Sequence, residues 1–569
     1  MGAGRLSAKG LKRHMSKQQK LPLDMIYHWE TARAEKVYMT QPMGKGKVVD
    51  FTWRRAVGEA RRMATYLKSL DLPEKSRIGI VSKNCAHWIM SDWAIWMAGH
   101  ISVPLYPTLN ADTVSYIIEH AEIPVLFVGK LDDWESMKPG VPDSVECISY
   151  PLSPSTNFKT WDDIVAENPP MTENTERDPE ELATIVYTSG STGRPKGVML
   201  SFANLSYAAT GAADRLEVTH EDRYLSYLPL AHVFERYVGE LTSMNKGFHL
   251  FFADSLDSFV EDLQRCEPTL FIAVPRIWTK FQHGVFEKMP REKLDKLLKI
   301  PLLNRLIKKK ILTNLGLQHV RYAGSGSAPL SHDLLEWYRS LGLELLEGYG
   351  MSENIAYSHT TQPGRARTGY VGEALPGVEC RIGEHGEVQV KSPATMMGYY
   401  KDPERTKETF TEDGFLKTGD VGEIDELGRL KLTGRLKEIF KTSKGKYVAP
   451  APIENKLMSD EHIEAVCVSG ENQVSPFSLV MLSEAAQEKR DNPAFREELE
   501  KDFVELLKDV NQTLDPHEHL RFLVVVREPW TIENNFLTPT MKLKRNVVED
   551  AYRQKVDDWY AQEKTVIWE

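Results

Sequence analysis

The stretch Tyr187-Thr188-Ser189-Gly190-Ser191-Thr192-Gly193-Arg194-Pro195-Lys196-Gly197 decides how this chain is read. It follows an apolar run, Ala183 to Val186, that predicts a buried strand. It precedes Ser201-Phe202-Ala203-Asn204-Leu205, where a helix is expected to begin. Glycines 190, 193 and 197 let backbone approach an anion with no side chain in the way. The hydroxyls of Thr188, Ser189, Ser191 and Thr192 add donors, and Lys196 adds positive charge. Backbone amides in such a loop form a nest suited to phosphate. A Ser/Gly linker is the plainer reading, but an inserted Pro-Lys after a strand is not linker chemistry. The nucleotide P-loop G-x-x-x-x-G-K-[ST] does not fit either. Counted from Gly190, its second glycine falls on Pro195, and Gly197 stands where a hydroxyl should follow Lys196.

The surrounding composition is that of an ordinary globular enzyme. The chain has 569 residues, 41% hydrophobic and 27% charged, enough for several cores. A formal net charge of -10 argues against nucleic acid as a partner. The five cysteines are scattered with no C-x-x-C pair, so neither zinc nor a disulfide framework is indicated. No stretch reaches the ~18 apolar residues of a membrane span. Arg5, Lys9, Lys12, Arg13, Lys17 and Lys20 precede the first acid, Asp24, without the apolar centre of a signal peptide. Residues 1–25 are expected to be a basic tail.

Helical and strand patterns alternate from Phe51 to Gly129 and again after the glycine-rich loop, which predicts an α/β sheet with helices on its faces. Strands are expected at Arg77 to Val81, Pro124 to Val128, Tyr224 to Leu228, His249 to Ala253, Thr269 to Val274 and His319 to Ala323. After Gly369, frequent glycines and runs such as Gly386-Glu387-Val388-Gln389-Val390-Lys391 predict antiparallel strands and tight turns. The fold class is therefore α/β. A large N-terminal domain (26–433) of α/β sheets carries a β-rich subdomain (about 369–433). A smaller, mobile α+β domain (434–569) follows.

Taken with the rest of the chain, T-S-G-S-T-G-R-P-K-G closely resembles the phosphate loop of the adenylate-forming (AMP-binding) enzymes. Further stretches resemble that family's motifs in the same order: Leu228 to Glu235, Tyr322 to Leu330, Leu346 to Glu353, Lys417 to Asp420, Thr433 to Lys441, Thr442 to Pro450 and Leu537 to Arg545. The resemblance runs from Tyr27 to Tyr552. Within the family, H-V-F-E-R, V-P-R-I-W and G-R-L-K-E-I look like the long-chain fatty acyl-CoA synthetases.

The resemblance implies roles. Thr188, Ser189, Gly190, Ser191, Thr192, Gly193 and Lys196 would hold ATP phosphates. Gly326, Ser327, Ala328, Glu347, Gly348, Tyr349, Gly350, Met351 and Ser352 would border the nucleotide, with Tyr349 stacking on adenine. Asp420 would accept the ribose hydroxyls, which calls for an ionised two-oxygen acceptor, and Arg435 would assist. Glu353, with the hydroxyl of Thr188, would hold Mg²⁺, which takes few carboxylates plus phosphate oxygens. Lys542 and Glu353 are the expected catalytic pair. His232 and Gly326 would border the acyl pocket. Lys437 would be the hinge, and Lys444 and Gly445 would meet CoA. Lys437 stands where many relatives have Asp, and Ser352-Glu353-Asn354 departs from the commoner core motif.

The implied reaction is ATP-dependent activation of a long-chain fatty acid to acyl-AMP and transfer to CoA. The alternative is an acyl-adenylate enzyme for another carboxylate or a carrier-protein acceptor. A cytoplasmic protein is expected, with the oligomeric state open, a dimer included. Leu294 to Leu312 mixes Lys296, Lys299, Arg305, Lys308, Lys309 and Lys310 with leucines and isoleucines, broken by Pro301. It reads either as an interfacial helix pair giving peripheral membrane contact or as an amphipathic helix packed on the core.

Overall fold

The computed structural model describes residues 20–188, 194–328, 330–538 and 541–569. Among them, two large sheets form the body. In the eight-stranded sheet, Leu182–Thr188, Ile101–Leu105, Arg77–Val81, Val125–Val128, Glu146–Ser149 and Lys159–Thr160 run parallel in that spatial order. The hairpin partner Lys196–Ser201 and the short strand Gly398–Tyr399 extend one edge antiparallel. The nine-stranded sheet has a parallel centre of Val37–Pro42, His249–Phe252, Arg223–Ser226, Leu270–Ala273, Tyr322–Ser325 and Leu345–Tyr349.

Helix Ala86–Met97 lies between these sheets and contacts strands of both. Each of its twelve residues is buried, including Trp88, Trp93 and Trp96. A helix apolar on every side has no solvent face to offer, so it must sit in the centre. Its one acid, Asp92, pairs with Arg236, which also donates to Glu240 at 3.0 Å and Thr184 at 2.7 Å. Three ionisable groups are thereby compensated inside an apolar core.

The segment after Gly369 forms a four-stranded antiparallel sheet: Glu379–Ile382, Glu387–Lys391, Leu416–Ile424 and Leu430–Arg435. One part of it departs from the expected subdomain. Gly398–Tyr399 leaves this sheet and pairs with the large one. The last domain is a four-stranded sheet, Ile463–Ser469, Phe477–Leu482, Leu523–Val525 and Val566–Trp568. Helices Pro450–Leu457 and Pro493–Gln512 pack on one side of it, and Arg545–Tyr552 and Val556–Ala561 on the other.

Three expectations need correction. Helix Pro22–Ala32 begins inside the span expected as tail, and Leu21, Leu23 and Ile26 are buried. Residues 1–19 lie outside the described residues. The strand expected from His319 starts at Tyr322, because Leu317 closes the preceding helix by packing into the core. Strand Ile101–Leu105 was not anticipated. It is short and wholly buried, so it shows no alternation. The five cysteines are free.

Candidate active site

The phosphate-loop segment connects the antiparallel strands Leu182–Thr188 and Lys196–Ser201. Ser201 then caps helix Phe202–Arg215, accepting from the Asn204 amide at 3.2 Å while the Asn204 side chain accepts from the Ser201 amide at 2.9 Å. Hairpin pairing places Thr188 opposite Lys196 at the loop mouth. Ser189, Gly190, Ser191, Thr192 and Gly193 lie outside the described residues. Gly197 has a packing role as well. It pairs with Tyr187, and a Cβ there would come within 2.7 Å of Ile185.

A cavity of about 2700 Å³ opens between the large domain and the C-terminal domain. Thr188, Lys196, His232, Gly326, Ser327, Ala328 and Glu347 to Glu353 line it, together with Asp420, Arg435, Lys437 and Lys542. Every described residue expected at the nucleotide therefore faces one space. Lys444 and Gly445 do not line it. They sit in the turn between Phe440–Lys441 and Tyr447–Val448, with Gly445 at φ +77°.

Glu353 is 4% exposed, in a 3-10 turn after strand Leu345–Tyr349. Its Oε1 accepts from Lys196 Nζ at 2.7 Å and from the Tyr399 hydroxyl at 2.6 Å. Burial opposes ionisation, but the Lys196 charge and these hydrogen bonds outweigh it and hold the carboxyl below its ordinary value. Tyr399 also accepts from Lys196 at 2.5 Å. Nothing in the sequence singled out Tyr399. Its signal, Gly398-Tyr399-Tyr400, is a strand return whose partner lies some 200 residues earlier. Asn354, the departure from the family motif, acts locally. Its Oδ1 accepts from the Met351 amide at 2.9 Å and fixes the turn.

Across the cavity, Asp420 follows Gly419, which adopts φ +73°. Its two oxygens accept from the Tyr349 hydroxyl at 2.6 Å and from Arg435 Nε at 2.8 Å. The Asp420 charge raises Arg435 above its ordinary value. Ser327 adopts φ +71°, a strained conformation for a residue with a Cβ, in the turn beside the nucleotide side of the cavity. Burial raises Glu347 to about 7 against the Leu330 amide it accepts from.

Lys542 is carried on a tight loop. The Thr538 amide donates to the Lys542 carbonyl at 2.8 Å, and Leu537 bridges Leu543. Its side chain is solvent-accessible within the cavity yet walled in by protein. Desolvation by those walls, helped by Arg435, lowers its amine below the ordinary value, while Asp420, Glu353 and Glu438 pull the other way. His232 caps the turn Val233–Glu235, and burial together with Lys542 lowers it to about 3. Its ring is therefore neutral, and Lys542 supplies the charge on that side. Glu235 plays a structural part: it is fully buried, accepts from Tyr224 and Ser226, and is raised to about 8 by burial.

The residues present fit Mg²⁺. Thr188 Oγ1 is buried with no hydrogen-bond partner among the described residues, and Glu353 is held ionised.

One cavity thus gathers a buried carboxylate, an aspartate bonded to a tyrosine and an arginine, and a lysine of the C-terminal domain. Comparison with known proteins gives the family. The profile described as AMP-binding enzyme matches residues 28–400, and that of the AMP-binding enzyme C-terminal domain matches residues 437–564. This chain belongs to the AMP-binding enzyme family. It is 32% identical to fatty acyl-CoA synthetase A of Dictyostelium discoideum, across 92% of this chain and 88% of that protein. It is also 32% identical to long-chain-fatty-acid–CoA ligase 1 of Homo sapiens, across 85% and 78%. The adenylation domain of a carboxylate reductase from Mycobacterium chelonae has the same fold, with TM-score 0.80 at 22% identity over 97% of this chain and 93% of that one.

Proposed function

We propose that this chain is a long-chain fatty acid–CoA ligase that forms AMP. The carrying observation is one cavity that joins Lys542, Glu353, Thr188 and Asp420 to an apolar groove. The relatives named above supply the acyl and CoA parts of the reading. A fatty carboxylate attacks the α-phosphorus of ATP, an O–P bond forms, and pyrophosphate leaves. The CoA thiol then attacks the acyl carbon and expels AMP.

The first step gathers negative charge at phosphorus, which fixed cations in a walled site stabilise. Lys542 is the cation aimed at the carboxylate side. Lys196 holds the phosphate tail, exchanging Glu353 for phosphate oxygens. Asp420 orients ribose, and Tyr349 offers its ring face to adenine. Mg²⁺ held by Glu353 and Thr188 would neutralise phosphate charge. The neutral His232 borders the acyl carbon without competing with Lys542. For the second step, rotation about Lys437 withdraws Lys542 and brings in Lys444 and Gly445.

The test is release of AMP and acyl-CoA from acids of eight to twenty carbons with ATP and CoA. Long-chain acids should be preferred, with no product when CoA is omitted beyond bound adenylate. Activity only with short or aromatic acids would overturn the substrate assignment.

We also propose a cytoplasmic protein with peripheral membrane contact. No helix among the described residues is long and apolar enough to cross a membrane. Helices Arg291–Leu298 and Leu303–Asn314 meet at Pro301, and no residue of the second is buried. Leu302 is 77% and Leu306 67% exposed beside Arg305 and Lys308 to Lys310. This pairing of exposed leucines with cations suits an anionic lipid surface.

A further inference from the structure

From the nucleotide side, the cavity continues as a groove along one face of the nine-stranded sheet. Strand register sets Ile272, Gly324 and Leu346 side by side, with Leu270 beside Tyr322 one level further from the nucleotide. Residues two apart share a face, and these five all line the cavity. Gly324 has no side chain, and Ile272 leans over it, with Cγ1 3.0 Å from where a Cβ would stand. Helix Phe202–Arg215 forms part of the opposite wall, where Ala212 and Arg215, three residues apart, share a face.

The position of Arg215 follows from its neighbours. Arg321 precedes strand Tyr322–Ser325 and donates to the carbonyls of Leu216 at 3.1 Å and Glu217 at 3.2 Å. These bonds pin the helix end at the foot of the strand. Gly326, at the head, is five residues on, roughly 16 Å at ~3.3 Å per residue. Arg215 thus stands at the far end of the groove.

Its guanidinium is only partly satisfied. With the Gln362 amide turned so that its oxygen faces the guanidinium, Arg215 donates to it from Nη1 at 3.3 Å and also from Nη2. Arg215 Nε is buried and has no partner among the described residues. Arg215 as a whole is half-buried and lines the cavity, so an unsubstituted chain filling the groove would strip water from this cation and return no hydrogen bond. A chain ending in oxygen would accept from it.

We propose that Arg215, held by Gln362, is a specificity-determining residue. It makes the groove favour acids that carry an oxygen at the far end, a hydroxyl or a second carboxylate, over plain acids of equal length. This rests on the groove being the acyl channel of the proposed ligase. The experiment compares kcat/KM for plain acids, ω-hydroxy acids and α,ω-diacids from eight to twenty carbons. The proteins are wild type, Arg215→Met, Arg215→Lys and Ala212→Phe. At the length that fills the groove, wild type should prefer the oxygenated acids by ~10-fold or more, as for a hydrogen bond to a charged group. Arg215→Met should lose that preference and gain on the plain acid; Arg215→Lys should keep part of it. Equal rates on all three acid classes at every length, or an undiminished preference in Arg215→Met, would overturn the proposal. Ala212→Phe separates the two readings. It narrows the groove one turn above Arg215 and should shorten the longest acid accepted. If it does so while Arg215→Met changes nothing, only the role of Arg215 fails. If the length profile is unchanged, the channel reading fails as well. Should Arg215→Met not fold, Arg215→Gln serves the same comparison.

Discussion

Glu353 and Lys196 neutralise one another at 2.7 Å. Phosphate must therefore take Lys196 from a carboxylate that is itself freed for a cation. The exchange costs little net charge, since one ion pair replaces another. Glu353→Gln removes the charge while keeping an acceptor for Lys196 and Tyr399. It should weaken the Mg²⁺ dependence of the first half-reaction and slow it by ~10²-fold, the scale of losing one fixed electrostatic element. Pyrophosphate exchange across a magnesium titration measures this, and an unchanged profile would remove Glu353 from the ion site. Lys542 gives a second residue-level test. In the proposed role its charged form serves adenylation, and its pKa is lowered. Activity should thus fall on the alkaline side below the ~10.4 of a free lysine, read from kcat/KM against pH. Asp420 raises that pKa, so Asp420→Asn should move the alkaline limb lower still; a limb at the free-lysine value would contradict the walled-in geometry. At this scale the residues that the sequence singled out in dense local motifs, Glu353, Asp420 and Lys542, line one cavity. The sequence was silent on Tyr399 and Arg215, whose partners are remote in sequence, and on the cross-strand neighbour that a side chain at Gly197 would meet.

Among elements, the boundaries that periodicity could reach were found within a few residues, as for Arg77–Val81 and Val125–Val128. The wholly buried strand Ile101–Leu105 and the two-residue strand Gly398–Tyr399 carry no period to read. The pair Arg291–Leu298 and Leu303–Asn314 shows how two readings of one pattern separate once packing is known. Leu294 is fully buried and Ile311 and Leu312 touch the core, as an ordinary amphipathic helix requires. Ile300, Leu302 and Leu306 do not, and Leu302 holds the break open at φ +70°. Water-facing leucines are costly to keep unless something covers them. On anionic vesicles at low salt the wild type should co-sediment, and high salt should release it. Changing Lys308, Lys309 and Lys310 together to Glu should abolish pelleting with acyl-CoA formation from soluble acid intact. Equal pelleting of both proteins would show that this pair does not dock.

At the scale of the whole molecule, a large and a smaller domain were legible in the sequence but their arrangement was not. Strand order in the two large sheets depends on which edges meet, and composition does not encode that. The structure holds one arrangement, with Lys542 inside the cavity and Gly445 outside it. Both belong to the same domain, so the proposed rigid turn would exchange them. The chain enters that domain through strand Leu430–Arg435, and the Leu436 amide still donates to the Gly419 carbonyl at 2.9 Å. The Glu438 and Ile439 amides bond back to the Arg435 carbonyl, which leaves Lys437 between two tethered points. A turn of the domain must be absorbed in the backbone there. Proline fixes φ near -65° and restricts the residue before it as well. Lys437→Pro should thus hold the domain on one side of the cycle, whereas Lys437→Ala, which keeps the backbone free to turn, should cycle normally. With Lys542 left in place, the proline variant should exchange pyrophosphate into ATP and accumulate acyl-adenylate while thioester formation falls by ~10²-fold or more. Quenched-flow measurement of adenylate and acyl-CoA from one turnover separates the two steps. Normal thioester formation in Lys437→Pro would place the pivot elsewhere in the chain, and loss of both steps would mean that the adenylating arrangement itself needs a different backbone at that residue.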